Sequence, residues 1–134
     1  YIYSHILDLD VSPEIQAIIY IHRGMAYFAE SQYTSALDDF TKAILLEPEN
    51  SKAYYYRGVI FRMLKDYPAS LKDLNKSLDL NPFSFDPLYS RAQVFFYLED
   101  YPRSHDDCSR ALNLEPDSEK AQMFLTIIKD RMNF

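Results

Sequence analysis

The sequence repeats itself with a period of 34 residues, held without an insertion across three units. When residues 17–50, 51–84 and 85–118 are aligned, one column contains only prolines, another only tyrosines and a third only arginines. These columns are Pro48, Pro82 and Pro116; Tyr33, Tyr67 and Tyr101; and Arg23, Arg57 and Arg91. A fixed period of about 20–50 residues is typical of stacked, identical supersecondary units. The period therefore constrains the fold more than any other feature of the chain.

Within each unit, apolar residues recur three and four positions apart, which predicts two amphipathic helices per unit. Only two glycines are present, and the prolines lie mostly at unit boundaries, which favours helices over strands. Asp66 and Asp100 are good N-cap residues, each followed by a proline in the first turn. At the other boundary, we expect capping by three further side chains: Asn50, Ser84 and Ser118.

Two glycines lie inside predicted helices, where glycine costs about 1 kcal/mol relative to alanine. We expect Gly24 and Gly58 to mark places where the partner helix crosses too closely for a side chain. Tyr27 and Phe61, three residues later, would then pack on the far side of the crossing.

The middle unit shows a pattern that resembles the tetratricopeptide repeat (TPR). The residues that carry it are Tyr54, Arg57, Gly58, Phe61, Tyr67, Ser70, Leu74, Ser77, Leu78 and Pro82, echoed in both flanking units. The resemblance covers about three quarters of the chain. It implies an all-α fold, an α-α superhelix (TPR solenoid) of three helix-turn-helix repeats plus a C-terminal capping helix. It also implies a concave groove, lined by the first helices, that binds peptides or partner helices.

The chain is expected to form one continuous domain. Residues 17–50, 51–84 and 85–118 are the three predicted repeats, 119–134 is the capping helix, and 1–14 is the remnant of a preceding helix and its linker. In the capping segment, Thr126 and Lys129 replace the residues that face a second helix in the repeats. At the other end, residues 1–9 have the apolar spacing of a second helix, the linker 10–16 is longer than its counterparts, and further repeats are expected before it.

Composition excludes several function classes. The net charge is −6 with a pI near 4.9, and no lysine and arginine cluster is present, so nucleic-acid binding is not expected. No apolar run is long enough to cross a bilayer, so no direct membrane insertion is expected. A single cysteine forms no internal disulfide, which favours a reducing, cytoplasmic location.

No residue cluster suggests catalysis. The histidines at 5, 22 and 105 are far apart in the sequence, and nothing indicates that they converge on a metal. Cys108 lies in the column of Phe40 and Leu74, so it is interpreted as a small buried hydrophobe rather than a nucleophile. The sequence thus predicts no enzyme activity, no cofactor and no metal.

A second charged column accompanies the arginines, since an aspartate follows each of them after sixteen residues at 39, 73 and 107. Our hypothesis is a structural ladder in which each guanidinium pairs with one of these aspartates. The alternative is a row of arginines that binds an anionic ligand.

The resemblance places the functional residues in the groove. The candidate peptide-binding residues are Ile21, Met25, Tyr55, Tyr56, Val59, Arg62, Tyr89, Gln93, Phe96 and Tyr97, with Met25, Tyr55, Tyr89 and Phe96 as central contacts. TPR domains that clamp the acidic tail of chaperones use lysine, asparagine and arginine in the groove. Here those five places hold Ile21, Met25, Tyr56, Asp86 and Ser90, which predicts that the clamp is absent.

The groove is therefore expected to be apolar and aromatic, and to hold an apolar or amphipathic segment of another protein. The alternative is a structural or self-associating segment of a larger TPR scaffold protein, which would make the chain a homo-oligomer. A third reading is that missing N-terminal repeats, or the chain's own N-terminal segment, cover part of this surface.

Overall fold

The computed structural model describes residues 2–7 and 10–133, in which α-helices are joined by short loops and no strand is present. The eight helices are α1 Ile2–Leu7, α2 Pro13–Ala29, α3 Tyr33–Leu46, α4 Ser51–Met63, α5 Tyr67–Leu80, α6 Phe85–Tyr97, α7 Tyr101–Leu114 and α8 Glu119–Met132. The predicted all-α class is confirmed. Leu9, which belongs to the predicted apolar stripe of the first segment, lies outside the described residues.

The helices stack in pairs. α2 packs on α3, α4 on α5 and α6 on α7, while α1 and α8 pack on the two ends of this array. Successive pairs meet through α3 and α4 and through α5 and α6. The first helices also contact one another, α2 with α4 and α4 with α6, so they form one continuous face of the stack.

The start of α2 differs from the prediction. The sequence places a linker at 10–16, whereas α2 begins at Pro13 and residues 13–16 are helical. Ser12 caps this extra turn, since its hydroxyl accepts the Ile15 N–H at 3.4 Å, and proline is well tolerated at the first helical position.

The predicted caps form at every position but one. Asn50, Asp66, Asp100 and Ser118 each accept the backbone N–H three residues later, at 3.2–3.3 Å. Ser84 occupies the same position before α6 but makes no such bond. The residue three positions later is proline, at 87, and proline has no N–H to donate.

Gly24 and Gly58 mark the predicted close helix crossings. A Cβ atom on Gly24 would lie 2.8 Å from Phe40, and one on Gly58 would lie 2.9 Å from Leu74, so neither site admits a side chain without movement. The third unit has Ala92 in this column, opposite the smaller Cys108. The residues on the two sides of the crossing therefore vary together. Alanine replaces glycine only in the unit where the facing residue is the smaller cysteine.

Three serines, at positions 70, 77 and 104, add hydrogen bonds across the helix pairs. The Ser70 hydroxyl donates to the Gly58 carbonyl and the Ser104 hydroxyl to the Ala92 carbonyl, both at 2.7 Å. The Ser77 hydroxyl donates to the carbonyl of Ser51 at 2.9 Å. These hydroxyls are buried and hydrogen-bonded, so they leave no unsatisfied polar group between the helices.

The arginine and aspartate columns form the predicted ladder. Each arginine donates from Nε and Nη2 to both oxygens of the aspartate sixteen residues later, at 2.6–2.8 Å. The three aspartates are at most 2% exposed. Because both carboxylate oxygens are occupied by one guanidinium, the ladder joins the two helices of each unit and is not a free row of cations.

A third donor of each arginine reaches the preceding second helix. Arg57 Nη1 donates to Thr41 at 3.4 Å, and Arg91 Nη1 donates to Asn75 at 3.0 Å. Arg23 Nη1 donates to Ser4 of α1 at 3.0 Å, so α1 occupies the place of a second helix. The next member of the acceptor column is Ser109, but the next arginine position holds Leu125, so this linkage does not continue to α8.

Candidate functional site

The face formed by the first helices retains large exposed apolar side chains. They are Ile18, Met25, Met63, Tyr97, Met123 and Ile127, which are 37–67% exposed. They come from α2, α4, α6 and α8, so the apolar surface extends along the whole stack. Met63 and Tyr97 occupy the same column of adjacent units, which shows that the repeat itself places them on one side.

Below these side chains, half-buried aromatic rings form the floor of the groove. Tyr89 stacks on Phe85 at 5.7 Å and meets Phe124 edge-on at 5.7 Å. Phe96 meets Phe124 edge-on at 5.4 Å, and Tyr56 stacks on Phe40 at 5.3 Å. Such ring pairs hold one another in place, so the floor is a fixed surface rather than a set of free side chains.

The ten predicted contact residues divide into three groups. Met25 and Tyr97 are exposed, whereas Tyr55, Tyr56, Arg62, Tyr89, Gln93 and Phe96 are half-buried in the floor. Ile21 and Val59 are buried, at 7% and 8% exposure, so their side chains present little surface to a ligand. Ile21 packs into the core of the first unit, and Val59 lies on the central first helix, which has a neighbour on each side.

Tyr55 lies at the centre of a polar cluster in the groove. Burial raises its pKa, and the charge of Asp86 acts in the same direction, while a hydrogen bond with Ser90 and the Arg62 guanidinium act against it. Burial also raises the pKa of Tyr89, which Arg62 opposes as well. Beside Tyr55, a cleft of about 150 Å³ separates α4 from the start of α6. These phenols remain protonated at neutral pH and are available as hydrogen-bond partners.

Two cations on α8 complete the groove and were not among the predicted contacts. Lys120 Nζ lies 4.9 Å from the centre of the Tyr89 ring, and the Arg131 guanidinium lies 5.5 Å from that of Phe96. Both distances fit cation–π contacts. Both contacts could have been predicted from the repeat. Position 120 aligns with Lys52 and Asp86, and position 131 aligns with Met63 and Tyr97.

The five places to which the family resemblance assigns the chaperone-tail clamp carry no positive charge in this chain. Ile21 and Ser90 are buried, Tyr56 is half-buried, and Met25 is an exposed thioether. Asp86 is exposed and carries a negative charge.

Other candidate chemistry finds no support in the described parts of the chain. Within residues 2–7 and 10–133, no group of three or more histidine, cysteine, aspartate or glutamate side chains could hold a metal ion. The Cys108 thiol is buried and donates to the Ala121 carbonyl at 3.4 Å, and burial raises its pKa to about 11. None of the helices described for residues 2–7 and 10–133 is long and apolar enough to cross a membrane.

Comparison with known sequences and structures gives the family context. A family model described as Tetratricopeptide repeat matches residues 22–85. No curated protein sequence matches significantly.

Several solved structures share the fold. The first TPR of Spaghetti (RPAP3), bound to the HSP90 peptide SRMEEVD, has a TM-score of 0.88 and 25% identity, covering 90% of this chain and 96% of its own. The first TPR domain of human RPAP3 has a TM-score of 0.85 and 26% identity, covering 90% and 94%. The Arabidopsis OM64 TPR domain has a TM-score of 0.86 and 21% identity, covering 89% and 98%. The chain therefore has the α-α superhelical TPR fold, and residues 22–85 of it match the tetratricopeptide repeat model.

Proposed function

We propose that this chain is a non-catalytic binding module that holds an apolar or amphipathic segment of another protein in the groove of its first helices. The observation that carries the proposal is that every helix of this face keeps exposed large apolar side chains, from Ile18 on α2 to Ile127 on α8. Exposed apolar surface of this kind on a soluble fold is typical of an interaction site.

The energetics are sufficient for a moderate affinity. Burying about six such side chains contributes on the order of 10 kcal/mol at roughly 1.5–3 kcal/mol each. Association costs roughly 4–15 kcal/mol in lost freedom and side-chain ordering. Because the aromatic floor is already fixed by ring contacts, little of that cost arises in the groove, and we expect micromolar dissociation constants.

The ligand chemistry differs from that of the similar RPAP3 domain, which binds an HSP90 peptide. An acidic tail requires several cations at the clamp places, and this chain has apolar, phenolic, hydroxyl and carboxylate groups there. The net charge of −6 also disfavours approach of a polyanionic peptide. We therefore expect the peptide SRMEEVD not to bind.

The experiment is selection of a phage library of random short peptides on the intact chain, followed by fluorescence anisotropy with the selected peptides. The variant Met25→Ser/Ile127→Ser removes exposed apolar groups from the groove. The matched control Leu45→Ser/Phe83→Ser removes them elsewhere, on α3 and in the loop after α5, where these side chains are 76% and 80% exposed.

We expect the groove variant to weaken binding by at least tenfold and the control to leave it unchanged. Equal loss in both variants, or tight binding of SRMEEVD, would contradict the proposal. Light scattering on the free chain tests the self-associating alternative: a dimer that only the groove variant dissociates would show that a second copy is the occupant.

A further inference from the structure

Arg62 differs from the arginines of the ladder in the way its donors are used. In the ladder, Nε of Arg23, Arg57 and Arg91 always donates to an aspartate. Arg62 Nε is enclosed by the protein and has no hydrogen-bond partner among the described residues. Buried N–H groups in native proteins are almost always paired, which sets Arg62 apart. Because Nε itself is shielded, a ligand would reach this partly buried guanidinium through its terminal Nη atoms, which no carboxylate of the described residues occupies in an ion pair.

The position of Arg62 points to the groove. The residue lies in the last turn of α4, in the register of Phe96 on the next first helix, and it is only partly buried. Its guanidinium is close enough to the phenols of Tyr55 and Tyr89 to influence both electrostatically. It therefore lies between α4 and α6, at the edge of the aromatic floor.

The charge balance of the groove differs from that of the molecule. The first-helix face carries four cations, Lys52, Arg62, Lys120 and Arg131, against Asp86 and Asp130, whereas the whole chain has a net charge of −6. None of the four cations forms an ion pair within residues 2–7 and 10–133. Lys120 and Arg131 contact aromatic rings instead, which leaves Arg62 as the one with an enclosed, unpaired donor.

A single planar guanidinium between apolar and aromatic surfaces suits one carboxylate. A carboxylate can accept two parallel N–H bonds, and its charge-assisted bonds are strengthened where water is excluded. A phosphate chain or an acidic tail would need several such cations side by side, and its remaining charges would face the acidic exterior of the molecule.

We propose that the ligand segment presents one aspartate or glutamate side chain to Arg62, flanked by apolar side chains that cover the exposed groove residues. This inference rests on the proposed function and specifies the partner as an apolar segment with a single internal carboxylate. The apolar contacts supply most of the affinity, and Arg62 selects the register of the segment.

The experiment uses peptides selected from the phage library on the intact chain. We expect them to share one acidic residue at a constant distance from apolar residues. Each peptide is resynthesised with glutamine or asparagine at the acidic position, and binding to the wild type and to Arg62→Gln is measured by anisotropy. Lys76→Gln, which removes an exposed cation from α5, is the matched control for net charge.

On the wild type, we expect neutralising the acidic residue to weaken binding about 10-fold to 100-fold. On Arg62→Gln, the acidic and neutral peptides should bind alike, whereas Lys76→Gln should retain the full difference. The peptide comparison on the wild type remains informative even if the arginine variant folds poorly.

Failure of this inference can be distinguished from failure of the proposed function. If the selected peptides lose affinity on Met25→Ser/Ile127→Ser but show no preference for the acid, the groove is the binding site and the role of Arg62 is overturned. If no selected peptide depends on the groove residues, both proposals are overturned.

Discussion

Each aspartate of the ladder is a buried carboxylate held by the guanidinium sixteen residues before it, and Asp107 also has Arg110 at 3.8 Å. Asp73 is 2% exposed, and Arg57 occupies both of its oxygens at 2.7 and 2.8 Å. Removing one partner of such a pair leaves the other charge without compensation. Replacing the aspartate should therefore lower the free energy of unfolding by more than replacing one partner of an exposed ion pair.

We expect Asp73→Asn to lower the free energy of unfolding by about 3 kcal/mol, measured by urea denaturation followed by circular dichroism. The control is Asp38→Asn, because Asp38 is exposed and pairs with Lys42 at 3.1 Å in the same helix. Its loss should stay below about 0.5 kcal/mol. Equal effects of the two substitutions would contradict a structural role for the ladder.

At the helix crossings, the size of the residue that fits at the glycine position depends on the size of the residue facing it. We expect Gly58→Ala to destabilise the fold by about 1–3 kcal/mol, because the new Cβ would lie 2.9 Å from Leu74. In the background Leu74→Cys, which reproduces the Ala92 and Cys108 pair, the same substitution should instead stabilise by about 1 kcal/mol through helix propensity. A loss of equal size in both backgrounds would show that the crossing does not depend on this pair.

The Cys108 thiol predicts a pH effect on stability. Burial, followed by the charge of Asp107, raises its folded pKa to about 11, above the value of about 8.5 for an unfolded cysteine. The unfolded state therefore loses its proton first, so the contribution to stability is complete below about pH 8.5 and is lost as the pH rises towards 11.

Between pH 8 and pH 10, the wild type should lose about 1–2 kcal/mol more than Cys108→Ala, measured by urea denaturation at each pH. The comparison with the alanine variant removes the contribution of the tyrosines and lysines, which titrate in both proteins. An identical pH dependence in the two proteins would contradict the raised pKa.

At the scale of the helices, Ser84 and Ser118 occupy the same position before a helix, but only Ser118 caps it. We expect Ser118→Ala to cost about 1 kcal/mol, because its hydroxyl accepts the Ala121 N–H at the start of α8. Ser84→Ala should cost at most a few tenths of a kcal/mol, since Pro87 offers no donor. Thermal unfolding of both variants checks this, and a larger effect at Ser84 would contradict the capping argument.

The 34-residue period predicted the helix pairs, the ladder and the close crossings, because each of these depends on residues that recur in register. Ser84 could have been recognised as a poor cap from the proline three residues later. The burial of Ile21 and Val59 could not have been recognised from the sequence. It depends on how closely the packed helices approach one another, and the aligned positions do not give that distance. The unpaired donor of Arg62 likewise arises only from the assembled surroundings.

At the scale of the whole molecule, the same polar connection joins successive units until the last. Arg57 and Arg91 each bond the second helix of the preceding unit, through Thr41 and Asn75. The next members of these two columns are Ser109 and Leu125, which do not reproduce the bond. α8 is joined to α7 through buried apolar residues such as Ala121 and Ile128, and through the Cys108 thiol, which donates to the Ala121 carbonyl. Thr126 and Lys129 on α8 are exposed.

The missing connection to α8 implies that this helix opens more readily than the rest of the stack, which should be visible in amide hydrogen exchange. We expect its amides to exchange faster than those of α4 by about tenfold or more, since local opening needs less free energy where fewer bonds are broken. Because α8 carries Met123, Ile127 and Arg131, a bound segment would also hold this helix closed. Slowed exchange confined to α8 and the groove would then report occupancy, and part of the binding free energy would be spent on ordering this last helix of the stack.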